Sequence, residues 1–342
     1  MKDMTDETTP AALQAAKAVV RAHHAEIDMA TPPDVATALA LHSAPDWHWR
    51  GMHPFDEQHG PAAVAATFWA PLKQALTGLA RREDIFFAGG NTIAGVGGTW
   101  VVSMGHLLGL FDAPWLGIRP TGKIAMLRYA EFHRVEAGRI TETAQFFDIP
   151  HLMQQAGQNP FAPETAQHLV QPGPWTHDGL LLGPQPAAEG QATLALIERM
   201  IADIGSWDSG LPLEAELRRS WAEDMLWWGP AGIGATYTIP RYARQHAGVF
   251  RGSFRDRRRL GHRARLAEGA YGGFFGWPSF AAVPTGGFMG LSATDTPAEF
   301  RVIDIYRRAG DKLAENWVFI DILHALKGQG VDVLARMEAI RR

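Results

Sequence analysis

One stretch of this sequence occurs twice, as RVIDIYRRAGDKLAENWVFIDILHALKGQG at residues 301–330 and, in diverged form, as RYAEFHRVEAGRITETAQFFDIPHLMQQAG at residues 128–157. Aligned without a gap, the two copies pair Arg128 with Arg301, Arg134 with Arg307, Glu142 with Glu315, Phe146 with Phe319, Asp148 with Asp321, and His151 with His324. The offset is constant, since 321 − 148 = 173, and half of the 342-residue chain is 171 residues. The pattern therefore predicts one domain that has been duplicated in tandem.

Each copy has the pattern of a β-hairpin followed by a helix. Two runs rich in β-branched and aromatic residues flank a Gly-containing turn, which is typical of antiparallel strands. Asp148 and Asp321 then stand directly before a short helical run that ends near a glycine. Asp is a common helix N-cap and Gly a common C-terminal residue, so each Asp is a candidate cap that stabilises its helix by about 1 kcal/mol.

Outward from the repeated stretch, the order of predicted elements is also repeated. Residues 10–29 and 192–205 have helical periodicity, and 61–79 and 239–250 predict a second helix in each half. Strand patterns follow each of them. Helices followed by a meandering sheet indicate the α+β class, here two tandem cone-shaped α+β barrels, each a curved antiparallel sheet wrapped on helices.

The predicted domain boundaries follow from composition. We expect one domain over residues 1–160, a second over 191–342, and a Pro/Gly-rich linker at 161–190. The apolar mouth of each cone is a natural small-molecule pocket.

Bulk composition excludes several classes of protein. The net charge of −4 argues against nucleic acid as a partner. The absence of cysteine excludes disulfides, thiolate nucleophiles and Cys-ligated metals. The sequence contains no run of about 18 apolar residues, so it predicts no membrane span. The first residues, MKDMTDETTP, contain no apolar signal segment, so we expect a cytoplasmic protein.

The motif IDIYRRAGDKLAENWVFIDILHALKGQG resembles that of SnoaL-like polyketide cyclases and related ester cyclases, in the nuclear transport factor 2-like superfamily. The loop GIRPTGK at 117–123 is similar to that family as well. The resemblance implies a cystatin-like cone and cyclisation of a polyketide ester by intramolecular aldol chemistry, without metal or cofactor. Where family members often carry Asp after a Trp, this chain has Gln145 and Val318.

Aldol or isomerase chemistry needs a group that removes a proton next to a carbonyl and a donor for the developing enolate oxygen. Glu131 and Asp304 are the first candidates, because each lies mid-strand in apolar company, where burial raises the pKa of a carboxyl. The alternative is an outward-facing, solvated position paired with Arg134 or Arg307.

The second copy is favoured as the site. There Asp304 is the predicted proton acceptor, with Tyr306 or Asn316 as oxyanion donor and Trp227 and Trp317 as apolar walls. Strand alternation places Asp304 and Tyr306 on one face. The further candidates are Asp148, Asp321 and His106 for catalysis, and Trp49 and Gln145 for substrate binding.

Two hypotheses of function stay open. One is a cofactor-independent cyclase or isomerase acting on a small polyketide-like carbonyl substrate. The other is a non-catalytic module that binds an apolar ligand in the same cone, which the missing Asp favours. No metal is expected, since the spacing of His48, His53 and His59 fits no regular metal motif. We also expect the halves to pair sheet to sheet as an internal pseudo-dimer, with further homo-oligomerisation left open.

Overall fold

The computed structural model describes residues 9–167, 170–205 and 209–340, so most of the polar amino-terminal segment lies outside the described part. The chain divides into two compact units. The first comprises residues up to 160, with 175–184 and the residues from 332 onward. The second comprises 161–174 and 185–331, so the two units share the predicted linker between them.

The first unit begins with helices and continues with strands. Its elements in chain order are α1 (Pro10–Met29), α2 (Val35–His42), β1 (Ser43–Gly51), β2 (Glu57–His59), α3 (Pro61–Val64), a π-helical turn (Ala65–Trp69), α4 (Ala70–Ala75), β3 (Leu76–Gly90), β4 (Thr99–Phe111), β5 (Ile124–Glu136), β6 (Arg139–Phe147) and α5 (Ile149–Gln155). The helix predicted at 61–79 is thus interrupted by a π turn and ends at Ala75. Residues 76–79 belong to β3 instead.

The long helix α1 shows why the sequence folds locally as it does. Thr9 caps it by accepting a hydrogen bond from the backbone N–H of Ala12, and Pro10 occupies its first turn. Its buried residues recur every three or four positions and include Val20, His24 and Ile27. This face packs against the sheet.

The sheet of the first unit has the strand order β2-β1-β6-β5-β4-β3. Strands β3 to β6 form the expected antiparallel meander, but β1 lies parallel to β6. The sheet is therefore mixed, since one parallel pair is added to the predicted antiparallel meander. The connection from β1 to β6 runs through helices and four other strands, which is long enough for a parallel pairing.

The second unit repeats this order with one change. Its elements are α6 (Ala187–Gly205), α7 (Leu213–Leu217), β7 (Trp221–Trp228), β8 (Ala235–Tyr237), α8 (Ile239–Tyr242), a π-helical turn (Ala243–Ala247), α9 (Gly248–Gly252), β9 (Phe254–Arg259), β10 (Ala264–Glu268), β11 (Tyr271–Pro284), a 3₁₀ turn (Phe288–Gly290), β12 (Ala298–Ala309), β13 (Lys312–Ile320) and α10 (Ile322–Lys327). The helix α11 (Val333–Glu338) follows and belongs to the first unit.

The second sheet has the order β10-β11-β12-β13-β7-β8, and β9 also pairs with β11. Two short strands, β9 and β10, thus pair with β11 as the single strand β3 pairs with β4. The break falls at residues 260–263, where Gly261 has a φ of +110°, a conformation that favours glycine. As in the first unit, one pair, β13 with β7, is parallel.

Both units combine helices with a mixed sheet, which confirms the predicted α+β fold class. We call the sheet face that packs on α1 or α6 the inner face. None of the described helices is long and apolar enough to cross a membrane.

Candidate functional site

Both repeats place a carboxylate at the same point of the inner face. Glu131 of β5 is directly opposite Gln145 of β6, and Asp304 of β12 is directly opposite Val318 of β13. The sequence offset relates both pairs, since 304 − 131 = 173 and 318 − 145 = 173. The two carboxylates nevertheless lie in very different surroundings.

Glu131 is the centre of a buried polar cluster. Its Oε2 lies 2.8 Å from Nε2 of His24 on α1 and 3.2 Å from Nε2 of His133 on its own strand. Its Oε1 accepts a hydrogen bond of 2.5 Å from the amide of Gln145. Arg81 of β3 approaches both oxygens at 3.3 Å. Glu131 is only 1% exposed, so protein groups replace its hydration.

These contacts decide the charge of Glu131. Burial alone would raise the pKa of Glu131, but Arg81, His24 and the hydrogen bond from His133 outweigh it and hold that pKa well below its usual range. Burial and Arg81 lower the pKa of His24, yet its contacts with Glu131 and Glu83 prevail and raise it. The first repeat therefore holds a charged, fully engaged carboxylate.

A second layer of hydrogen bonds fixes the imidazole of His133. Its Nδ1 hydrogen-bonds Oγ1 of Thr143 at 2.9 Å, and the indole of Trp47 donates to the same hydroxyl. The neighbouring His23 is buried, and its Nδ1 has no hydrogen-bond partner among the described residues.

Aromatic side chains fill the remainder of the first inner face. Trp49, whose indole donates to Gln145 Oε1 at 2.9 Å, stands beside Phe55 and Phe68, and Phe68 stacks on Phe147 at 4.4 Å. All four aromatic side chains are buried. Trp49 and Gln145, both predicted to bind substrate, are therefore parts of a packed core.

In the second repeat the equivalent space is a cavity of about 180 Å³. Asp304, Tyr306 and Asn316 line it together with Trp227, as expected for the second copy. The cavity is also lined by aromatic rings and imidazoles, namely Trp221, Tyr242, His246, His262, Phe274 and Phe300. The accessible surface of Asp304 faces this cavity.

Asp304 has polar neighbours, and no cation lies beside it among the residues that the structure describes. Asn316 donates from Nδ2 to Asp304 Oδ1 at 3.2 Å, and Tyr306 hydrogen-bonds the same carboxyl group. Burial raises the pKa of Asp304 to about 7, although both hydrogen bonds lower it. The carboxyl group is thus poised between its two protonation states near neutral pH. Burial and Asp304 raise the pKa of Tyr306 well above its usual value, so its hydroxyl stays a donor.

Part of the cavity wall is aromatic. His246 stacks on Trp227 with ring centroids 4.0 Å apart, and Tyr242 packs against both rings. Burial lowers the pKa of His246 to about 3, so this imidazole is neutral. A planar apolar ligand in this cavity would meet aromatic rings as well as the carboxyl group of Asp304.

Arginines line another part of the cavity. These residues are Arg251, Arg257 and Arg259. Arg251 is bound to Glu216, and Arg257 lies over the ring of Phe280 at 4.7 Å. Burial, with Arg259 and Arg251 adding to it, lowers the pKa of Arg257 to about 10. This part of the wall favours an anionic or strongly polar oxygen.

The remaining predicted residues lie outside the cavity. Asp148 and Asp321 cap α5 and α10, accepting from the N–H of His151 and His324 at 3.1 Å each. Trp317 is on the face opposite Asn316 and Val318, where its indole donates to the carbonyl of Pro172.

The last predicted residue, His106, is on the outer face of the first sheet. It is buried and directly opposite Arg128, and its Nδ1 lies 3.1 Å from Asp84. The structure therefore gathers Asp304, Tyr306, Asn316 and Trp227 in one place and leaves Trp317, His106 and the two capping carboxylates elsewhere.

Several functional side chains did not follow from motif reasoning. His24, Arg81, Tyr242 and His246 come from helices or strands far from the repeated hairpin. The constant offset gives one usable signal: it pairs His24 with Ile197, since 197 − 24 = 173, and both are buried on the first helix of their unit. A histidine that replaces a core isoleucine indicates a polar partner inside that repeat.

Part of the first repeat is similar to a known protein family. Residues 20–143 match the model of the SnoaL-like domain family. Among curated proteins, none matches the chain.

Similar solved structures include a proposed SnoaL-like polyketide cyclase from Jannaschia sp. CCS1, with 20% identity over 41% of this chain and 90% of that one and a TM-score of 0.31. An NTF2-like protein from Burkholderia thailandensis E264 has 22% identity over 41% of this chain and 95% of that one, with a TM-score of 0.30. IdmH, a proposed polyketide cyclase from Streptomyces antibioticus, has 16% identity over 41% and 96% respectively, with a TM-score of 0.31.

Proposed function

We propose that this protein, whose residues 20–143 form a SnoaL-like domain, uses its second repeat to move a proton on a small carbonyl compound. Asp304 is the proton acceptor and donor of an enolisation, the step common to aldol cyclisation and to isomerisation. The single observation that carries the proposal is the environment of Asp304, a carboxyl group with a pKa of about 7 in an aromatic cavity. A base whose pKa lies near the working pH transfers protons most effectively.

Each neighbour has a role in this scheme. The Asp304 carboxylate removes the proton next to the carbonyl, and the electron pair moves onto the carbonyl oxygen. Asn316 or Tyr306 donates a hydrogen bond to that enolate oxygen, the task of an oxyanion hole. Asp304, now protonated, returns the proton to carbon in an isomerisation or to the new alkoxide in an aldol closure.

The cavity limits the substrate. A void of about 150 Å³ in another protein accommodates benzene, so about 180 Å³ suits a single ring with a short substituent. Trp227 and His246 offer ring faces, and Arg257 and Arg259 favour a carboxylate or ester oxygen at one end. We therefore propose monocyclic β-keto acids or esters as the substrate class.

The test is solvent exchange at carbon. Monocyclic β-keto esters and aryl ketones are incubated with the full chain in D₂O, and deuterium incorporation next to the carbonyl is followed by NMR. We expect catalysed exchange in the wild type and a loss of about 10²-fold or more in Asp304→Asn. Asp321→Asn, which alters the matching helix cap outside the cavity, is the control and should keep full exchange.

The apolar walls also favour a second candidate, a binding module without catalysis. Ligands that quench the fluorescence of Trp227 but show no Asp304-dependent exchange would establish that function and refute the first.

A further inference from the structure

The buried cluster of the first repeat has no part in the chemistry proposed for the second, yet its three central side chains have the composition of a metal site. His24, Glu131 and His133 each present one ligand atom, and these atoms all lie within 4.8 Å of one another. Two imidazoles and one carboxylate are a common donor set for first-row divalent ions such as Zn²⁺, Fe²⁺ and Co²⁺.

The distances between the donor atoms fit a shared ion. Glu131 Oε2 is 2.8 Å from His24 Nε2 and 3.2 Å from His133 Nε2. Two ligand atoms, each about 2.1 Å from an ion, are roughly 3.0 Å apart at a right angle and about 3.4 Å apart at the tetrahedral angle. Two of the three donor pairs, those of Glu131 with each histidine, therefore already have nearly the spacing that coordination requires, and the two imidazole nitrogens lie within 4.8 Å of each other.

The outer hydrogen bonds leave the right atoms for the ion. Nδ1 of His133 hydrogen-bonds Thr143, and Nδ1 of His24 lies 3.6 Å from Oε1 of Glu83. A bound ion would take the place of the Nε2 protons that face Glu131, and each Nδ1 would then carry the proton toward its outer partner. Metal-binding histidines are usually oriented in this way, by a carboxylate or another acceptor on the far nitrogen.

Glu131 is arranged in the same manner. Gln145 binds its Oε1, whereas its Oε2 lies nearest the two histidines, with Arg81 at 3.3 Å. Such a carboxylate would bind an ion through one oxygen.

The charges near the cluster also admit a cation. Arg81 lies 3.3 Å from Glu131, and its positive charge disfavours a bound cation. Asp28 lies 3.5 Å from Arg81 and offsets that positive charge. Glu131 and Glu83 then contribute two negative charges, which one divalent ion balances. His23, whose buried Nδ1 has no partner among the described residues, stands edge-on to His133 with ring centroids 6.0 Å apart.

We propose that His24, Glu131 and His133 bind one divalent first-row transition-metal ion inside the first repeat. The second repeat offers no such set at the equivalent positions, which hold Ile197, Asp304 and Tyr306. The proposed site is therefore particular to the first repeat.

The experiment uses the full chain after chelator treatment, with Zn²⁺ followed by calorimetry and Co²⁺ followed by its visible absorption. We expect one equivalent of each ion to bind and the melting temperature to rise with ion concentration. Glu131→Gln should weaken binding by about 100-fold or more. Thr143→Val, which removes the hydroxyl that supports His133 and accepts from Trp47, should weaken it by about 10- to 100-fold.

The matched control addresses the surface. The rings of His48 and His59 stack with centroids 4.5 Å apart. This pair is the alternative place where an added ion would bind. His59→Gln should leave both affinity and stoichiometry unchanged. The proposal is overturned if the chelator-treated wild type binds neither ion, if His59→Gln abolishes binding, or if folded Thr143→Val binds as tightly as the wild type.

Discussion

Glu131 and Asp304 occupy equivalent positions in two copies of one fold, but their protonation behaves in opposite ways. In the first repeat, His24 and Arg81 surround the carboxylate and hold its pKa well below the usual range despite burial. In the second, a core isoleucine takes the place of His24, and burial raises the pKa of Asp304 to about 7. The comparison shows that the shared sheet positions a carboxyl group, whereas its neighbours decide whether it is a fixed charge or a proton carrier.

The edge of the sheet two strands away from this position contributes to the difference. In the first repeat, β3 is continuous and brings Arg81 and Glu83 to the inner face. In the second, residues 260–263 separate β9 from β10, and His262 from this break lines the cavity. A continuous strand thus supports a closed polar cluster, and a broken one borders an open pocket.

The largest expected effect is the loss of the Glu131 charge. Glu131→Gln, studied in the presence of a chelator, should destabilise the first unit by about 3–5 kcal/mol, because Arg81 and His24 then remain buried without their carboxylate. Urea denaturation at pH 7 measures this. A loss below 1 kcal/mol would show that the cluster is not the charged assembly described here.

Asp304→Asn should stabilise the protein, whereas Glu131→Gln should destabilise it. The pKa of Asp304 is about 7 when folded against about 3.9 in an unfolded chain, so its contribution to stability is full below about pH 4 and is lost as the pH rises through 7. The neutral amide avoids this loss, so the variant should gain up to about 4 kcal/mol at pH 8.5 and nothing at pH 4. Equal stability curves for variant and wild type would contradict a raised pKa.

Replacing His24 by the isoleucine of the second repeat tests the cause of the contrast. His24→Ile removes a hydrogen bond to a charged group and should cost about 1.5–3 kcal/mol. It should also raise the pKa of Glu131. On acidification, the variant should therefore begin to lose stability at a higher pH than the wild type. The acid limb of denaturation measures this, and a limb identical to that of the wild type would assign the low pKa to Arg81 and His133.

The smallest effect is expected for Tyr306→Phe. Its hydrogen bond lowers the pKa of Asp304, so removing it should move that pKa further above 7, with a stability change of about 1 kcal/mol. Carbon NMR of the Asp304 carboxyl group during a pH titration gives the value directly. An unchanged or lower value would show that Tyr306 does not hydrogen-bond the ionised form.

The fold followed from sequence because its signals are local. The repeated hairpin, the Asp caps of α5 and α10, and the helical spacing of α1 each depend on residues a few positions apart. Trp317 shows the limit: it was expected in the pocket beside Asn316, yet adjacent residues of a strand face opposite sides. Alternation from Asn316 alone would have excluded it.

The sequence by itself determined the duplication, the α+β class and the pairing of Glu131 with Asp304. Only the tertiary structure decided their charges. His24 is 107 residues from Glu131 along the chain, and Tyr242 and His246 reach the Asp304 cavity from a separate helical segment. The pKa of a buried group depends on whichever groups folding brings within a few ångströms, and this sum over distant neighbours has no local signature in the chain.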